Sequence, residues 1–324
     1  MTRIKRLFCG ALVALGVAGP AAAETYPDRP VTMIVAYPPG GASDVIARVV
    51  AAKLTERLGQ QVVVENRAGA GGNLGAKQAA QAKNDGYTIL MGAITAHSIA
   101  QTLTPDTAKY SLEKDFAPVS MLGNVPVMLV VNPNVPAKTV KEFIELAKQK
   151  PGQLTLSSAG IGTTQHLAAE KFALMTKTKI LHVPYKGSGP AITDLIGGQI
   201  TATFETGPAT MSFLKSGQLR PLAIASKSRS TQLPDVPTMA EAGLADYEVS
   251  GTYGIQAPAG TPKPIIDRLN AEVKVALDSP DVQARLAEQG VIPTYTTPKQ
   301  TSEFIRSEIA KWASVIKAGN VKAE

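Results

Sequence analysis

Two segments of the chain combine glycines, hydroxyl residues and the expected start of a helix, a combination suited to holding a small anion. They cover residues 37–44 and 157–166, and each follows a short apolar run. The candidate helix N-caps are Ser43 or Asp44 in the first segment and Thr163 or Thr164 in the second. A helix N-terminus offers free N–H groups and the positive end of the helix dipole. One such loop is common in α/β proteins for packing alone, but two of them predict a clamp that closes on a small anion.

The loops around this predicted anion site carry no cationic side chain. Arg and Lys are absent from residues 37–43, 93–98, 157–166 and 206–210. Backbone N–H groups, hydroxyls and water would therefore hold a carboxylate there, and binding should depend only weakly on ionic strength. Lys186 is the nearest candidate cation in the sequence, and we interpret it as a solvated loop lysine.

Short apolar runs alternate with helical patterns along the chain, and this order predicts parallel sheets covered by helices. Strands are expected near residues 31–36, 61–65, 87–91, 127–131, 154–156, 180–183, 200–204 and 222–225. Helices are expected over residues 45–58, 74–82, 140–148, 167–174 and 261–278, and from Pro298 onward. Roughly 300 residues with this alternation fit two α/β domains better than one.

The first 23 residues have the features of a secretory signal peptide that is cleaved after Ala23. Three basic residues precede an apolar stretch from Leu7 to Val17, and three alanines precede Glu24. The stretch is too short for a membrane anchor, which needs about 20 apolar residues. Cleavage would remove Cys9, the one cysteine, and would lower the formal charge from +7 to +4. We therefore expect an exported protein without disulfides or Cys-based metal sites, and with too little positive charge for nucleic-acid binding.

Seven short motifs together resemble one protein family. They are YPDRP (26–30), YPPGGASD (37–44), VENRAGAGG (64–72), DGYT (85–88), HVPYKG (182–187), LPDVPT (233–238) and APAGTP (257–262). With these motifs the chain is similar, over nearly all of residues 25–320, to the periplasmic substrate-binding receptors of the tripartite tricarboxylate transporters, often called Bug proteins. The resemblance implies a periplasmic receptor that captures a small carboxylate or related compound. It also implies delivery of that ligand to an integral-membrane transporter, without catalysis, cofactor or metal.

The fold implied by the resemblance is α/β, a two-domain periplasmic-binding-protein fold of type II-like form. Each domain is expected to be a mostly parallel sheet flanked by helices, with two crossing segments near residues 123–127 and 226–250. Domain 1 would hold residues 24–124 and 245–324, and domain 2 residues 125–244. Ligand binding would bias a hinge, because only the closed form offers both loops. We expect a monomer that takes a dicarboxylate, tricarboxylate, aromatic acid or amino acid.

The resemblance also assigns candidate ligand-binding residues to the loops. They are Tyr37, Gly41, Ala42, Ser43, Ala93, Thr95, Ser158, Gly162, Thr163, Thr164, His166 and Glu205. Asp44 is expected to stabilise the helix start. His166 would either donate to a ligand carboxylate or bond a neighbouring carbonyl. Glu205 would either bond a ligand ammonium or hydroxyl or cap its own loop, and Thr206 stands where the family commonly has Asn.

Two other functions stay open at this point. A ligand sensor that presents its closed form to a signalling partner needs the same clamp, so the sequence does not separate it from transport. A secreted α/β hydrolase is less favoured, because the chain has no G-x-S-x-G motif. The glycine run at residues 69–75 lacks the last glycine of a dinucleotide fingerprint. The three histidines, His97, His166 and His182, show no metal-ligand spacing.

Overall fold

A computed structural model describes residues 26–323, and the predicted signal peptide lies outside this range. Residues 26–323 form ten strands and eleven helices, with a short 3₁₀ turn at Ala70–Gly72. No helix in this range is both long enough and apolar enough to span a bilayer.

A first sheet contains the N-terminal strands. Its strand β1 (Val31–Val35) pairs in parallel with β2 (Val62–Asn66) and β3 (Thr88–Ala93). Strand β4 (Phe116–Val131) is long, and its first half pairs antiparallel with β9 (Ser250–Pro258), which in turn pairs antiparallel with β3. The order is β2-β1-β3-β9-β4, and the two-residue β10 (Ile292–Pro293) also pairs with β4.

The second half of β4 enters a second sheet. There it pairs antiparallel with β7 (Ala202–Thr206) and β8 (Arg220–Ile224). Strand β5 (Thr155–Ser158) is parallel to both β7 and β6 (Leu181–Pro184). Both sheets are therefore parallel among the strands that helices connect and antiparallel along the crossing strands β4 and β9, which the predicted alternation did not include in full.

Helices cover both faces of the two sheets. In chain order they are α1 (Ala42–Leu58), α2 (Asn73–Ala80), α3 (Ile94–Leu103), α4 (Pro105–Ala108), α5 (Val140–Gln149), α6 (Thr164–Thr176), α7 (Ser188–Ile196), α8 (Gly207–Lys215), α9 (Lys263–Asp278), α10 (Pro280–Glu288) and α11 (Pro298–Gly319). Buried clusters around Ile46 and Ile34 fill the two faces of the first sheet, and clusters around Phe204 and Leu195 fill those of the second. Each sheet is thus the middle layer of its own helix-covered sandwich.

The chain passes between the two sheets where three backbone segments meet. The Val127 N–H of β4 donates to the Val249 carbonyl at 3.1 Å, and the Val249 N–H donates to the Ala225 carbonyl at 3.1 Å. The Ala225 N–H donates to the Val127 carbonyl at 2.8 Å. This junction supports the predicted division into two domains, whose boundaries stay a prediction.

Helix α11 contributes to the cores of both sheets. Its Ile305 packs in a cluster of the first sheet, whereas Trp312 and Ile316 pack in a cluster of the second. The predicted first domain includes the whole helix, and the structure adds that its C-terminal half packs across the junction.

Candidate functional site

A cleft between the two sheets lies at the carboxyl ends of their parallel strands, which is where ligands bind in open α/β folds. It contains about 430 Å³ of space not filled by protein atoms, part of it open to solvent. The lining comes from the loops and helix starts after β1, β3, β5 and β6, together with the crossing strand β9. The lining residues are Tyr37, Pro38, Gly41, Ala42, Ser43, Ala93, Ala96, Ala159, Thr164, Gln165, Ser188, Gly251, Thr252 and Tyr253.

Four helices begin at this cleft. The helix residues that reach it are Ala42 and Ser43 of α1, Ala96 of α3, Thr164 and Gln165 of α6, and Ser188 of α7. The first turn of a helix leaves N–H groups without intrahelical acceptors and carries the positive end of the dipole. The described residues that line the cleft include no Arg and no Lys. The cleft therefore favours an anion through backbone dipoles rather than through cationic side chains.

The first loop is capped differently from the sequence prediction. Gly41 is the N-cap of α1, with an extended backbone at φ −89° and ψ 173°, so the prediction of Ser43 or Asp44 as the cap is wrong. The Asp44 carboxylate accepts hydrogen bonds from the Gly40 N–H at 3.1 Å, Arg48 Nε at 3.0 Å and Asn66 Nδ2 at 2.9 Å. Asp44 thus reaches back over the loop, Gly41 is the cap, and Ser43 lines the cleft.

Burial alone would raise the pKa of the Asp44 carboxyl. The hydrogen bonds from Arg48, Asn66 and Gly40, together with the Arg48 charge, outweigh burial, so the pKa lies below its ordinary value. Asp44 is therefore ionised at neutral pH and stabilises the start of α1, which is the role predicted for it.

Tyr37 separates the cleft from a neighbouring groove between the glycine-rich turn at residues 69–73 and the loops of the second sheet. Its hydroxyl donates to the Gly71 carbonyl at 2.9 Å. A Cβ atom on Gly72, which has φ +97°, would lie 2.6 Å from the Tyr37 ring. The turn therefore serves close packing beside the cleft. Lys186 is exposed and lines the groove, not the cleft.

The second loop carries the predicted N-cap Thr163. Its Oγ1 accepts from the His166 N–H at 3.4 Å and donates to the Gly160 carbonyl at 2.7 Å. The structure confirms Thr163 as the cap of α6, and the neighbouring Thr164 reaches the cleft instead.

His166 and His182 form a stacked pair behind the second loop, with ring centroids 4.2 Å apart. His166 Nδ1 accepts from the Gly162 N–H at 3.3 Å, and His182 Nε2 lies 2.7 Å from Ser158 Oγ. Burial, followed by the neighbouring His182, lowers the pKa of His166 to about 3, and burial lowers the pKa of His182 to about 4. Both rings are therefore neutral at pH 7, and His166 bonds its local backbone away from the cleft lining.

The buried histidines should make the fold sensitive to mild acid. Burial lowers the pKa of His97 to about 4. An unfolded histidine titrates near 6.5. The contribution of the neutral, buried His97 to the free energy of unfolding is therefore complete above that pH and is lost as the pH falls toward 4. For His97 alone, the free energy of unfolding should fall by on the order of 2 kcal/mol between pH 7.5 and pH 5. Urea unfolding at both pH values measures this loss.

The pH dependence of the native protein mixes several groups, because burial raises the pKa of Glu205 and this group stabilises the fold as the pH falls. Comparison with His97→Gln isolates the contribution of His97. The free energy of unfolding of the variant should change less between pH 7.5 and pH 5 than that of the native protein. Equal slopes for the two proteins would contradict a neutral, buried His97.

Half of the predicted ligand-binding residues lie on the cleft lining. These are Tyr37, Gly41, Ala42, Ser43, Ala93 and Thr164. The others, Thr95, Ser158, Gly162, Thr163, His166 and Glu205, lie off the lining. Thr95 Oγ1 donates to Glu308 of α11 at 2.8 Å and accepts from the Thr252 N–H at 3.1 Å, so it links three elements near the hinge. Glu205 lies directly behind the lining residue Gln165, which donates to it at 3.0 Å. A ligand contact for any of these residues stays a prediction.

Sequence reasoning did not name eight lining residues as candidate ligand-binding residues, which are Pro38, Ala96, Ala159, Gln165, Ser188 and the segment 251–253 of β9. The glycines on both sides of Ser188 repeat the pattern of glycine, hydroxyl residue and helix seen in the two predicted loops, so a signal for this position was present. Segment 251–253 has no such local signal, because the pairing of β9 with distant strands brings it to the cleft.

The two sides of the cleft are in contact through glycines. A Cβ atom on Gly187 would lie 2.7 Å from the Pro38 ring, and a Cβ atom on Gly41 would lie 3.6 Å from Ser188 Oγ. A Cβ atom on Gly207 of α8 would lie 2.2 Å from the carbonyl oxygen of Gln289, which follows α10. These contacts describe a closed arrangement of the two sheets.

Comparisons with known proteins agree with this architecture. The sequence model of the family described as tripartite tricarboxylate transporter family receptor matches residues 46–321. The protein BugT of Bordetella pertussis is 43% identical over 323 residues, which cover 99% of each chain. R. palustris Rpa4515, solved with adipate, is 36% identical with a TM-score of 0.89, over 92% of this chain and 99% of that chain.

MatC from Rhodopseudomonas palustris, solved with bound malate, is 34% identical with a TM-score of 0.85, over 90% of this chain and 100% of that chain. The likeness in structure confirms the predicted α/β fold class.

Proposed function

We propose that this chain, which belongs to the tripartite tricarboxylate transporter receptor family, captures a small carboxylate in the cleft and delivers it to a membrane transporter. The members of this family are periplasmic solute-binding proteins rather than enzymes. The proposed location is the periplasm, reached with the predicted signal peptide and its cleavage after Ala23. The proposed working form is a monomer.

One observation carries this proposal: four helix N-termini meet at a cleft whose described lining has no cationic side chain. Oriented N–H groups in a site that excludes water bind a carboxylate well, because the low local dielectric strengthens each hydrogen bond. A small organic acid fits this arrangement better than a phosphate, whose larger charge usually recruits Arg or Lys. Adipate and malate, the molecules bound to two similar proteins, are small carboxylates of this kind.

Closure of the cleft would couple binding to delivery. The first loop and α1 belong to one sheet, whereas α6 and α7 belong to the other, so only the closed form offers all of these N-termini to one ligand. A ligand that binds the closed form more tightly shifts the equilibrium toward it. A transporter that recognises the closed form would then receive only loaded receptors.

Titration calorimetry with a panel that includes adipate and malate tests the proposal. We expect at least one carboxylate to bind with saturating 1:1 stoichiometry, and small-angle scattering should show a more compact protein when it is bound. Failure of every carboxylate to bind, or binding of amines and neutral sugars instead, would contradict the proposal.

Ser43 supplies a sharper test of the cradle. Its side chain lines the cleft in the first turn of α1. Ser43→Ala should weaken carboxylate binding by about 0.5–1.5 kcal/mol, the value of one hydrogen bond, and leave unfolding nearly unchanged. Thr163→Ala is the matched comparison, because that hydroxyl caps α6. It should lower the unfolding free energy by about 0.5–2 kcal/mol. An unchanged affinity in Ser43→Ala would show that the Ser43 hydroxyl does not bind the ligand.

A further inference from the structure

Behind the cleft wall lies a buried carboxyl group with one unused oxygen. Glu205, at the end of β7, is 1% exposed. Its Oε1 accepts from Gln165 Nε2 at 3.0 Å, from the Thr206 N–H at 2.8 Å and from Thr206 Oγ1 at 2.9 Å. Its Oε2 has no hydrogen-bond partner within residues 26–323. A buried carboxyl oxygen without a partner costs free energy, so the arrangement calls for a missing donor.

Glu205 lies against the cleft lining. Its partner Gln165 lines the cleft, and so does Ser188, which is close enough to lower the pKa of Glu205 but makes no hydrogen bond to Oε2. From the other side of the cleft, burial and then the nearby Glu205 carboxyl raise the pKa of Tyr253. Glu205 is therefore within reach of lining residues from both sheets.

The partners of Oε1 decide what Oε2 can do. All three are donors, and this set is typical of an ionised carboxylate. The Thr206 N–H belongs to the backbone and cannot turn away, so Oε1 stays the occupied oxygen. Burial raises the pKa of Glu205, and the hydrogen bonds from Thr206 and Gln165, together with the nearby Ser188 hydroxyl, oppose this rise. The free Oε2 is then an acceptor placed behind a cleft at which four helix N-termini offer N–H donors.

We propose that Oε2 of Glu205 accepts a hydrogen bond from the bound ligand, and that the ligand is a small carboxylate that also carries a hydroxyl or an ammonium group. This inference rests on the proposed function. The carboxylate of the ligand lies at the helix N-termini, and its donor group lies at Glu205. An unsubstituted dicarboxylate has no donor at neutral pH. Its second carboxylate would face Glu205 in a cleft whose described lining has no cation to separate them.

Calorimetry on the full chain at pH 7.5 tests this with ligands matched in length. One set is succinate, malate and aspartate, and the other is glutarate, 2-hydroxyglutarate and glutamate. In at least one set, the hydroxy or amino compound should bind about tenfold or more tightly than the unsubstituted acid, as expected for a hydrogen bond to a charged group. Whichever of the hydroxy acid and the amino acid in that set binds more tightly then identifies the donor as a hydroxyl or an ammonium group. Equal or tighter binding of the unsubstituted acids would overturn the inference and leave the proposed function standing. Absence of binding by any carboxylate would overturn both.

Glu205→Gln is the decisive variant because it keeps the shape of the side chain. The Thr206 N–H requires an oxygen at the position of Oε1, so the amide NH₂ takes the position of Oε2 and turns an acceptor into a donor. The ranking should invert: donor-bearing ligands should lose about tenfold or more in affinity, and the unsubstituted acids should gain.

Glu288→Gln, on the exposed side of α10, is the matched control and should change neither ranking nor affinity. A Glu205→Gln protein with the native ranking would show that Glu205 only supports the fold. Thermal unfolding checks that the Glu205→Gln variant is folded. If it is not folded, the order of ligand affinities measured with the native chain tests the inference by itself.

Discussion

Gly207→Ala should weaken ligand binding by roughly 5- to 150-fold without touching the ligand. A Cβ atom there would lie 2.2 Å from the Gln289 carbonyl oxygen, which belongs to the other side of the cleft. Backbone cannot move away as a flexible side chain does, and overpacking of this kind costs about 1–3 kcal/mol. We expect this clash to oppose the closed arrangement of the two sheets, so its cost should fall on closure and raise the apparent Kd.

The comparison of binding with unfolding separates closure from damage to the fold. Strain that alanine introduces before Pro208 acts in the open and closed forms alike and would lower the free energy of unfolding. If the clash with Gln289 acts on closure, it should lower the affinity and leave the free energy of unfolding nearly unchanged. Calorimetry and urea unfolding on the same preparation measure the two effects.

Gly189→Ala is the matched control, because its Cβ atom would lie 3.7 Å from the Pro39 carbonyl oxygen, an ordinary contact across the same cleft. It should bind normally. Native affinity in Gly207→Ala would show that this contact is not part of closure.

Asp44→Ala should lower the free energy of unfolding by about 2–4 kcal/mol and also weaken binding. Asp44 is 5% exposed and holds the Gly40 N–H, Arg48 and Asn66 together. Asn66 also donates to the Tyr37 carbonyl at 3.0 Å, so the whole first loop depends on this carboxylate. Its removal takes away the shared acceptor of three part-buried hydrogen bonds and frees the loop that lines the cleft.

The pH dependence identifies the cause of that loss. Because the pKa of Asp44 is below its ordinary value of 3.8, its contribution is complete above that pH and disappears as the pH falls through the folded-state pKa. The stability gap between native protein and variant should therefore narrow below about pH 4.

Asp267→Ala is the control, since its ion pair with Lys263 is exposed, and it should cost less than about 1 kcal/mol. A similar cost for the two aspartates in urea unfolding at pH 7 would contradict the structural role of Asp44.

The strands of the fold could be predicted where pairing and burial are uniform. Strands β1, β2 and β3 are short apolar runs between turn residues, and the predicted ranges agree within a residue or two. Strand β9 was not predicted, because Gly251 and Gly254 interrupt its apolar pattern. It is a strand because β3 and β4 pair with it on both sides, which no local pattern reports. Helix α3 was missed for a related reason: it is buried almost all round, so it lacks the polar face that produces a helical period.

The candidate site divides in the same way. The first loop could be predicted, because glycines, a hydroxyl and a helix start are adjacent in the sequence. The position of Glu205 behind Gln165 could not, because β7 and α6 come together only through the parallel pairing of β5 with β7. Tyr253 reaches the cleft through β9, more than 200 residues after Tyr37. Contacts of this kind depend on the tertiary fold rather than on local propensity.

A crystal structure of the protein with a bound carboxylate tests the central claim most directly. We predict the carboxylate within hydrogen-bond distance of the N–H groups of Ala42 and Ser43, opposite the N-termini of α6 and α7, with no Arg or Lys side chain in contact. A ligand bound outside this cleft, or one held by a guanidinium or an ammonium group of the protein, would contradict the account.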